Sequence, residues 1–302
     1  ITAMEQAAAE VWMYGDPESH DLRAALAAKL DIAMDEVVIG AGIDGLLDSV
    51  VRLTVSDGVH VVTSAGAYPT FNYHVTGYGG TIHTVAYTAD HEDPDHLVAK
   101  AREVGAKLIY LSNPDNPMGT CHAAATIELM IQSLPEDCLL ILDEAYIELA
   151  PDGAAPPINT MDPRVIRMRT FSKAYGMAGA RVGYAIGHRD LISAFNRVRN
   201  HFGMSRVSQA GALAALQDDT WIDTVRTKVE ASRQALYAIA AENGLVPIAS
   251  ATNFVAIDCG ADGDFARAVL DSLIKQGVFV RMPLVAPQDR CIRISCGTDA
   301  DV

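Results

Sequence analysis

The 302 residues carry 38 acidic against 23 basic side chains, a formal net charge of −15, and half of them are hydrophobic. That composition excludes a disordered chain and supports one large domain, or a large domain with a smaller one. It also argues against a nucleic-acid or anionic-membrane surface, which needs a basic field, so any phosphate must be held by a local site.

A turn-like sequence, Tyr14-Gly15-Asp16-Pro17, puts a tyrosine on a loop or packing edge. An alanine-rich helix over 21–30 follows, with Leu22, Ala25, Leu26 and Leu30 at helical spacing. From residue 37 short β-branched runs alternate with helical periods. The runs at 37–39, 59–64, 81–85, 107–111, 139–142, 165–169 and 182–186 predict strands; the stretches at 46–53, 68–78, 94–104, 123–134 and 175–179 predict helices. Seven strands joined by crossovers make a mostly parallel, doubly wound α/β sheet. After Gly187 helices are expected at 190–201, 207–216 and about 219–243, the last capped by Thr220 or an adjacent aspartate. Strands near 254–257, 278–281 and 291–295 and a helix over 264–276 complete an α+β tail. The expected organisation is a large domain over 35–205, with a small domain made of 1–34 and 206–302.

Five cysteines with no CxxC spacing and nine histidines with no metal-ligand clustering suggest reduced thiols and no bound metal. No apolar run reaches membrane-spanning length and no leader-like segment opens the chain, so a soluble cytoplasmic protein is expected.

Polar chemistry gathers in five clusters, each after a predicted strand. Gly40-Ala41-Gly42-Ile43-Asp44-Gly45 matches GxGxxG, but a nicotinamide dehydrogenase needs an acid at the end of the next strand, which runs into Ser64-Ala65-Gly66 instead. What survives is a tight glycine turn whose amides, near Ile43 and Asp44, can approach one phosphate. In Tyr68-Pro69-Thr70-Phe71, Phe71 is either core or the face on which a planar cofactor stacks. Ser112-Asn113-Pro114-Asp115-Asn116-Pro117-Met118-Gly119 is an Asx-rich turn pinned by two prolines, with its asparagine amides aimed. In Leu142-Asp143-Glu144-Ala145-Tyr146, Asp143 sits at the exit of a buried strand, where a carboxylate needs a partner such as a protonated pyridine nitrogen or a structural arginine. The fifth, from Thr170 through Ser172 and Lys173 to Arg181, holds a lysine that is either a solvated cation or a Schiff-base amine.

Singly, each cluster has an ordinary structural reading. Together they fall at the carboxyl edge of the sheet, where open α/β folds bind ligands. An amine (Lys173), an acid (Asp143), donors for a phenolic oxygen (Asn116, Tyr146), a stacking ring (Phe71) and a phosphate cradle (Thr170, Ser172, Arg181 and the 42–44 amides) complement pyridoxal 5′-phosphate.

These motifs resemble those of the fold-type I pyridoxal-phosphate aminotransferases, most closely the histidinol-phosphate aminotransferase family. The likeness runs from Tyr14 to Thr298: SNPDNPMG is similar to NPxNPTG, LDEAY to DEAY, and TFSKAYGMAGARVGY to TxSKxxxLAGxRxGY. The resemblance implies that Lys173 carries the Schiff base and shuttles the proton, that Asp143 keeps the ring nitrogen protonated, and that Asn116 and Tyr146 bond the ring oxygen. It further implies that Phe71 stacks on the ring and that Thr170, Ser172, Arg181 and the amides after Gly42 hold the phosphate. Tyr14 resembles the tyrosine this family donates to the partner subunit's phosphate, which implies a homodimer. Arg293 resembles the arginine that clamps the substrate carboxylate, and Arg281 sits where a second anion-binding arginine is common.

Departures concern the substrate side. The loop resembling PFNVN in the family reads His201-Phe202-Gly203-Met204-Ser205-Arg206, Met118 replaces a threonine, and Gly45 stands where an acid is common. Arg206 is accordingly a candidate for a distal acid group of the substrate. The family's N-terminal covering segment and final helix have no counterpart, so a truncated or partly ordered chain is expected. The implied reaction moves an amino group from an amino acid or amino-alcohol phosphate to a 2-oxo acid such as 2-oxoglutarate. A decarboxylase or lyase on the same scaffold, and a non-catalytic ligand-binding protein, are the rivals.

Overall fold

The computed structural model describes residues 1–218 and 220–302. Two helices, α1 (Thr2–Ala8) and α2 (His20–Leu30), precede the main sheet. Its seven strands are β1 (Val37–Gly40), β2 (His60–Ser64), β3 (Thr81–Val85), β4 (Leu108–Ser112), β5 (Leu139–Asp143), β6 (Val165–Thr170) and β7 (Gly183–Gly187), in the order β1-β7-β6-β5-β4-β2-β3. Only β7 runs against its neighbours β6 and β1. The expected seven-stranded, mostly parallel sheet is therefore present, displaced at most a residue or so at the strand ends.

Because both faces are covered, the central strands read as unbroken apolar runs rather than alternating ones; every residue of β4 and β5 is buried. Alternation still decides which layer each side chain enters. Leu108, Tyr110 and Ile141 pack beneath α3 (Gly42–Thr54) and α4 (Thr70–Gly77), with Leu47, Val51, Phe71 and Val75. Ile109, Leu111, Leu140 and Leu142 face α5 (Pro94–Val104) and α6 (Ala124–Gln132), with Leu97 and Ile127. α5 keeps its predicted bounds because its ends are chemically marked: Asp93 accepts from the His96 amide at 3.0 Å, Pro94 opens the first turn, and Gly105 closes the helix at φ +64°.

Three expectations fail locally. The stretch 175–179 is a turn leading into a 3₁₀ segment, Ala178–Ala180, because Gly176 takes φ +69°. The stretch 278–281 forms no strand; Val278 and Phe279 are exposed, and only Arg281 makes an isolated bridge, to Arg293. The helix at 190–201 is shorter, α7 (Arg189–Ala194) continued by a 3₁₀ turn.

The rest of the chain builds α8 (Arg206–Leu216), α9 (Trp221–Glu242), β8 (Val246–Pro247), β9 (Phe254–Asp258), α10 (Gly263–Lys275) and β10 (Cys291–Ser295). The Thr220 side chain makes no cap bond; Asp218 Oδ1 accepts from the Trp221 amide at 3.2 Å instead, and Asp219, the expected helix start, lies outside the described residues. Strands β10-β9-β8 form a separate antiparallel sheet, packed through Val255, Ile257 and Ile292 on Leu236, Ala240 and Ala266. It reaches the main sheet where Phe254 meets Tyr146 and Ala174, and where Met118 is buried with Ala256 and Cys291. Among the described residues no helix is long and apolar enough to cross a membrane.

Beside the chemistry lies an ion cluster centred on the buried Glu144 and Arg167, with Arg169 partly buried. Glu144 accepts from Arg167 at 2.6 and 3.1 Å and from Arg169 Nε at 2.8 Å. Burial pushes its carboxyl up, but Arg169 and Arg167 outweigh it and hold the group below the usual range. Removing one partner of a buried pair leaves the others uncompensated. Glu144→Gln is expected to lower the unfolding free energy by about 3–5 kcal/mol in urea titration at neutral pH. With its carboxyl pKa depressed in the fold, the stabilisation holds above the ordinary carboxylate range and fades as pH falls through it, so the wild-type and variant curves should converge in acid.

Candidate active site

Four side chains line both of two adjoining cavities: Tyr68, Asn116, Tyr146 and Lys173. The inner cavity, about 170 Å³, also meets Ile43, Asp44, Asp143, Thr170, Ser172 and Arg181. The outer, about 650 Å³, adds Phe254, Arg281 and Arg293. Most contributors to the inner one sit just past a strand of the main sheet or at its last residue, the edge at which parallel strands aim their loops, and Arg181 comes from the loop that leads into the antiparallel β7.

The floor is anionic. Asp143, last residue of β5, accepts from Tyr110 Oη at 2.7 Å and from the Ala145 amide at 2.9 Å. Burial pushes its pKa up to about 6, although the Tyr110 and Ala145 bonds and the Lys173 charge pull the other way. Lys173 Nζ lies 4.9 Å from the centre of the Tyr146 ring. Burial pulls its pKa below the ordinary lysine value; Tyr68 and Asp143 oppose the shift, and Arg293 and Arg181 add to it. A partly desolvated amine is a better nucleophile than a solvated one.

At one end α3 begins at Gly42, whose φ of +77° calls for glycine and whose missing Cβ leaves room for the Arg181 guanidinium. Arg181 Nη1 donates to Ser172 Oγ at 3.3 Å, the Ser172 amide donates to Thr170 Oγ1 at 3.1 Å, and the two hydroxyls are 2.9 Å apart. Helix amides, two hydroxyls and a guanidinium make a cup suited to a phosphate. At the opposite end Arg293 Nη1 donates to Asn116 Oδ1, and its guanidinium lies 4.7 Å from the centre of the Phe254 ring. The donor set therefore fits a ring with an acidic nitrogen proton, a phenolic oxygen, a reactive carbonyl and a phosphate.

Three expected residues are not in this protomer's cleft. Phe71 falls in the first turn of α4 and points into the layer beneath it; it is fully buried and stacks on Tyr110, rings 4.8 Å apart and 12° from parallel. The aromatic that this loop offers to the cleft is Tyr68, next to Pro69 in the same motif, whose one sequence signal is its place in the turn directly after β2. Arg206 opens α8 and pairs with Glu10 at 3.1 Å, beside Gly15 and Gln209, so in this protomer it lines neither cavity. Tyr14 is likewise outside, 79% exposed and packed on Phe202. A further cavity, about 320 Å³, is lined by Arg23, Arg52 and Arg199, whose donors are engaged by Glu18 and by carbonyls of Met34, Val37, Val198 and Pro17.

Comparison with known proteins agrees with this geometry. Residues 2–302 match the family Aminotransferase class I and II. The chain is 35% identical over 287 residues to the histidinol-phosphate aminotransferase of Anaeromyxobacter sp. (strain Fw109-5), covering 93% of this chain and 78% of the relative. To the enzyme of that name from Bacillus velezensis it is 32% identical over 299 residues, 98% and 82% of the two chains. The crystal structure of histidinol-phosphate aminotransferase from Sinorhizobium meliloti in complex with pyridoxal-5′-phosphate superimposes with a TM-score of 0.98 at 53% identity, over 99% of this chain and 82% of that one. The dehydrogenase, decarboxylase, lyase and non-catalytic readings give way to these findings. The chain belongs to the class I and II aminotransferases, pyridoxal-phosphate enzymes of fold type I, and stands within them close to the histidinol-phosphate aminotransferases.

Proposed function

We propose that this protein binds pyridoxal phosphate in the inner cavity and moves an amino group from a donor bearing an anionic group, histidinol phosphate among the candidates, to a 2-oxo acid such as 2-oxoglutarate. The observation that carries this is the meeting of Lys173, Asp143, Asn116 and Tyr146 in one cleft whose outer chamber is lined by two arginines, Arg281 and Arg293. When bound, the cofactor supplies an electron sink that acidifies the substrate's Cα–H bond.

Lys173 provides the amine that the donor displaces and then holds the proton between substrate carbon and cofactor, a task suited by its lowered pKa. Asp143 accepts from the ring nitrogen, and its buried charge keeps that nitrogen protonated. Asn116 and Tyr146 bond the ring oxygen, and Tyr68 rather than Phe71 offers the ring contact. Thr170, Ser172, Arg181 and the amides of Ile43 and Asp44 hold the phosphate. Arg293, oriented by Asn116 and Phe254, takes the substrate carboxylate. Arg281 lies in the roomier chamber and meets the distal anion. The free thiols of all five cysteines suit a reducing cytoplasm.

A homodimer completes the site. Val11, Trp12, Tyr14 and Phe202 are 65, 80, 79 and 55% exposed, an apolar surface of the kind that partner chains cover, and Tyr14 would reach the partner subunit's phosphate from it.

Lys173→Ala should abolish transamination, and borohydride reduction that fixes the cofactor on wild-type protein should leave the variant unlabelled by mass spectrometry. In a donor screen with 2-oxoglutarate, Arg281→Ala should raise KM roughly tenfold for donors with a distal anion and leave neutral donors nearly unchanged. Trp12→Asp should shift the sedimenting species from dimer to monomer and release cofactor on dialysis.

A further inference from the structure

β4 runs parallel to β5 with Tyr110 opposite Ile141 and Ser112 opposite Asp143. Alternation puts Tyr110, Ser112, Ile141 and Asp143 on one face of the sheet, the face under α3 and α4. A tyrosine in that apolar layer is unexpected, because phenylalanine would fill the same space without a hydroxyl to satisfy. The hydroxyl is instead fully engaged: it donates to Asp143 Oδ2 at 2.7 Å and accepts from Ser112 Oγ at 3.1 Å. With the Ala145 amide on Oδ1, both oxygens of Asp143 are tied and the carboxylate plane is fixed, while each oxygen keeps a lone pair for another donor. Phe71 lies flat against the Tyr110 ring and both are fully buried, so the phenol cannot swing away.

We propose that Tyr110 is a positioning residue: its phenol, braced by Phe71, fixes Asp143 in the orientation and charge state from which the carboxylate meets the cofactor's ring nitrogen. The inference rests on the proposed role of Asp143 and extends it to residues that never touch the cofactor. A donor to the charged form stabilises it. Around Asp143, Lys173 also favours the anion, while Glu144 from the same strand end opposes it. Glu92 and Tyr146 also face it. Glu92 accepts from the Ser112 amide at 2.8 Å and Ser64 Oγ at 2.6 Å. Burial and the nearby Asp115 push Glu92 well above the carboxylate range, which limits the like charge it places beside Asp143.

The test compares Tyr110→Phe, Asp143→Asn and the double variant, each titrated with pyridoxal phosphate across pH and followed by cofactor absorbance. Tyr110→Phe keeps the stacked ring and removes only the hydroxyl. It should weaken cofactor binding on the order of tenfold, and shift the acid limb of binding to higher pH, because Asp143 then protonates more readily. In the Asp143→Asn background it should change neither. Wild-type affinity and acid limb in Tyr110→Phe, or full additivity in the double variant, would overturn the proposal. Wild-type affinity in Asp143→Asn would remove the role of Asp143 itself, and this one with it. If Tyr110→Phe does not fold, Ser112→Ala, which removes the donor to the phenol, should move the acid limb the same way by a smaller step; no movement counts against Tyr110.

Discussion

A carboxylate with no water around it has to be held by donors, and the arrangement of this protein's cleft follows from how that is done for Asp143. Its strand ends at the ligand-binding edge of the sheet, and it is buried at 5% exposure. Two fixed donors, the Ala145 amide and the Tyr110 phenol, satisfy part of its capacity, and the Lys173 charge offsets part of its desolvation. What is left over is an acceptor aimed into a cavity. A protonated ring nitrogen is the natural complement, and a buried acid in this state binds it with little reorganisation.

The neighbouring acid shows the opposite use of the same residue type. Glu144 follows Asp143 directly, yet it faces Arg167 and Arg169 of β6, and both its oxygens are taken by their guanidinium donors. That ion cluster ties β5 to β6, and β6 ends at Thr170, from which the chain turns through Ser172 and Lys173. One acid therefore anchors the strand that delivers the lysine, while the other waits for a ligand. The small sheet supplies the third side. Phe254 against Tyr146, and Met118 against Ala256 and Cys291, dock it onto the loops of the main sheet. This docking brings Arg293 of β10 within reach of Asn116. Met118 is an apolar contact in that junction rather than a polar group in the cleft.

Much of this could be read without coordinates. Strand and helix positions followed from apolar runs and marked ends, as at Asp93-Pro94 and Gly105. The joint placement of the lysine, acid and asparagine motifs after separate strands followed from the order of a doubly wound sheet. Phe71 was misread because a motif fixes where a residue lies along the chain but not which way it points: one position inside α4 is enough to turn it from the cleft to the core. Arg206 could not be placed from sequence because a charge at the start of a helix has many partners within reach, and here it pairs with Glu10, distant in sequence.

Sequence alone thus determined the sheet, the cofactor-type inventory and the family, since these depend on local periodicity and on motifs short enough to carry their own geometry. Tertiary structure decided which aromatic faces the cleft, which arginines reach it, and that Tyr110 and Phe71 stand behind Asp143. Those outcomes depend on strand register and on packing between segments far apart in the chain, where the free energy of burying or pairing each side chain is set by neighbours the local sequence does not name.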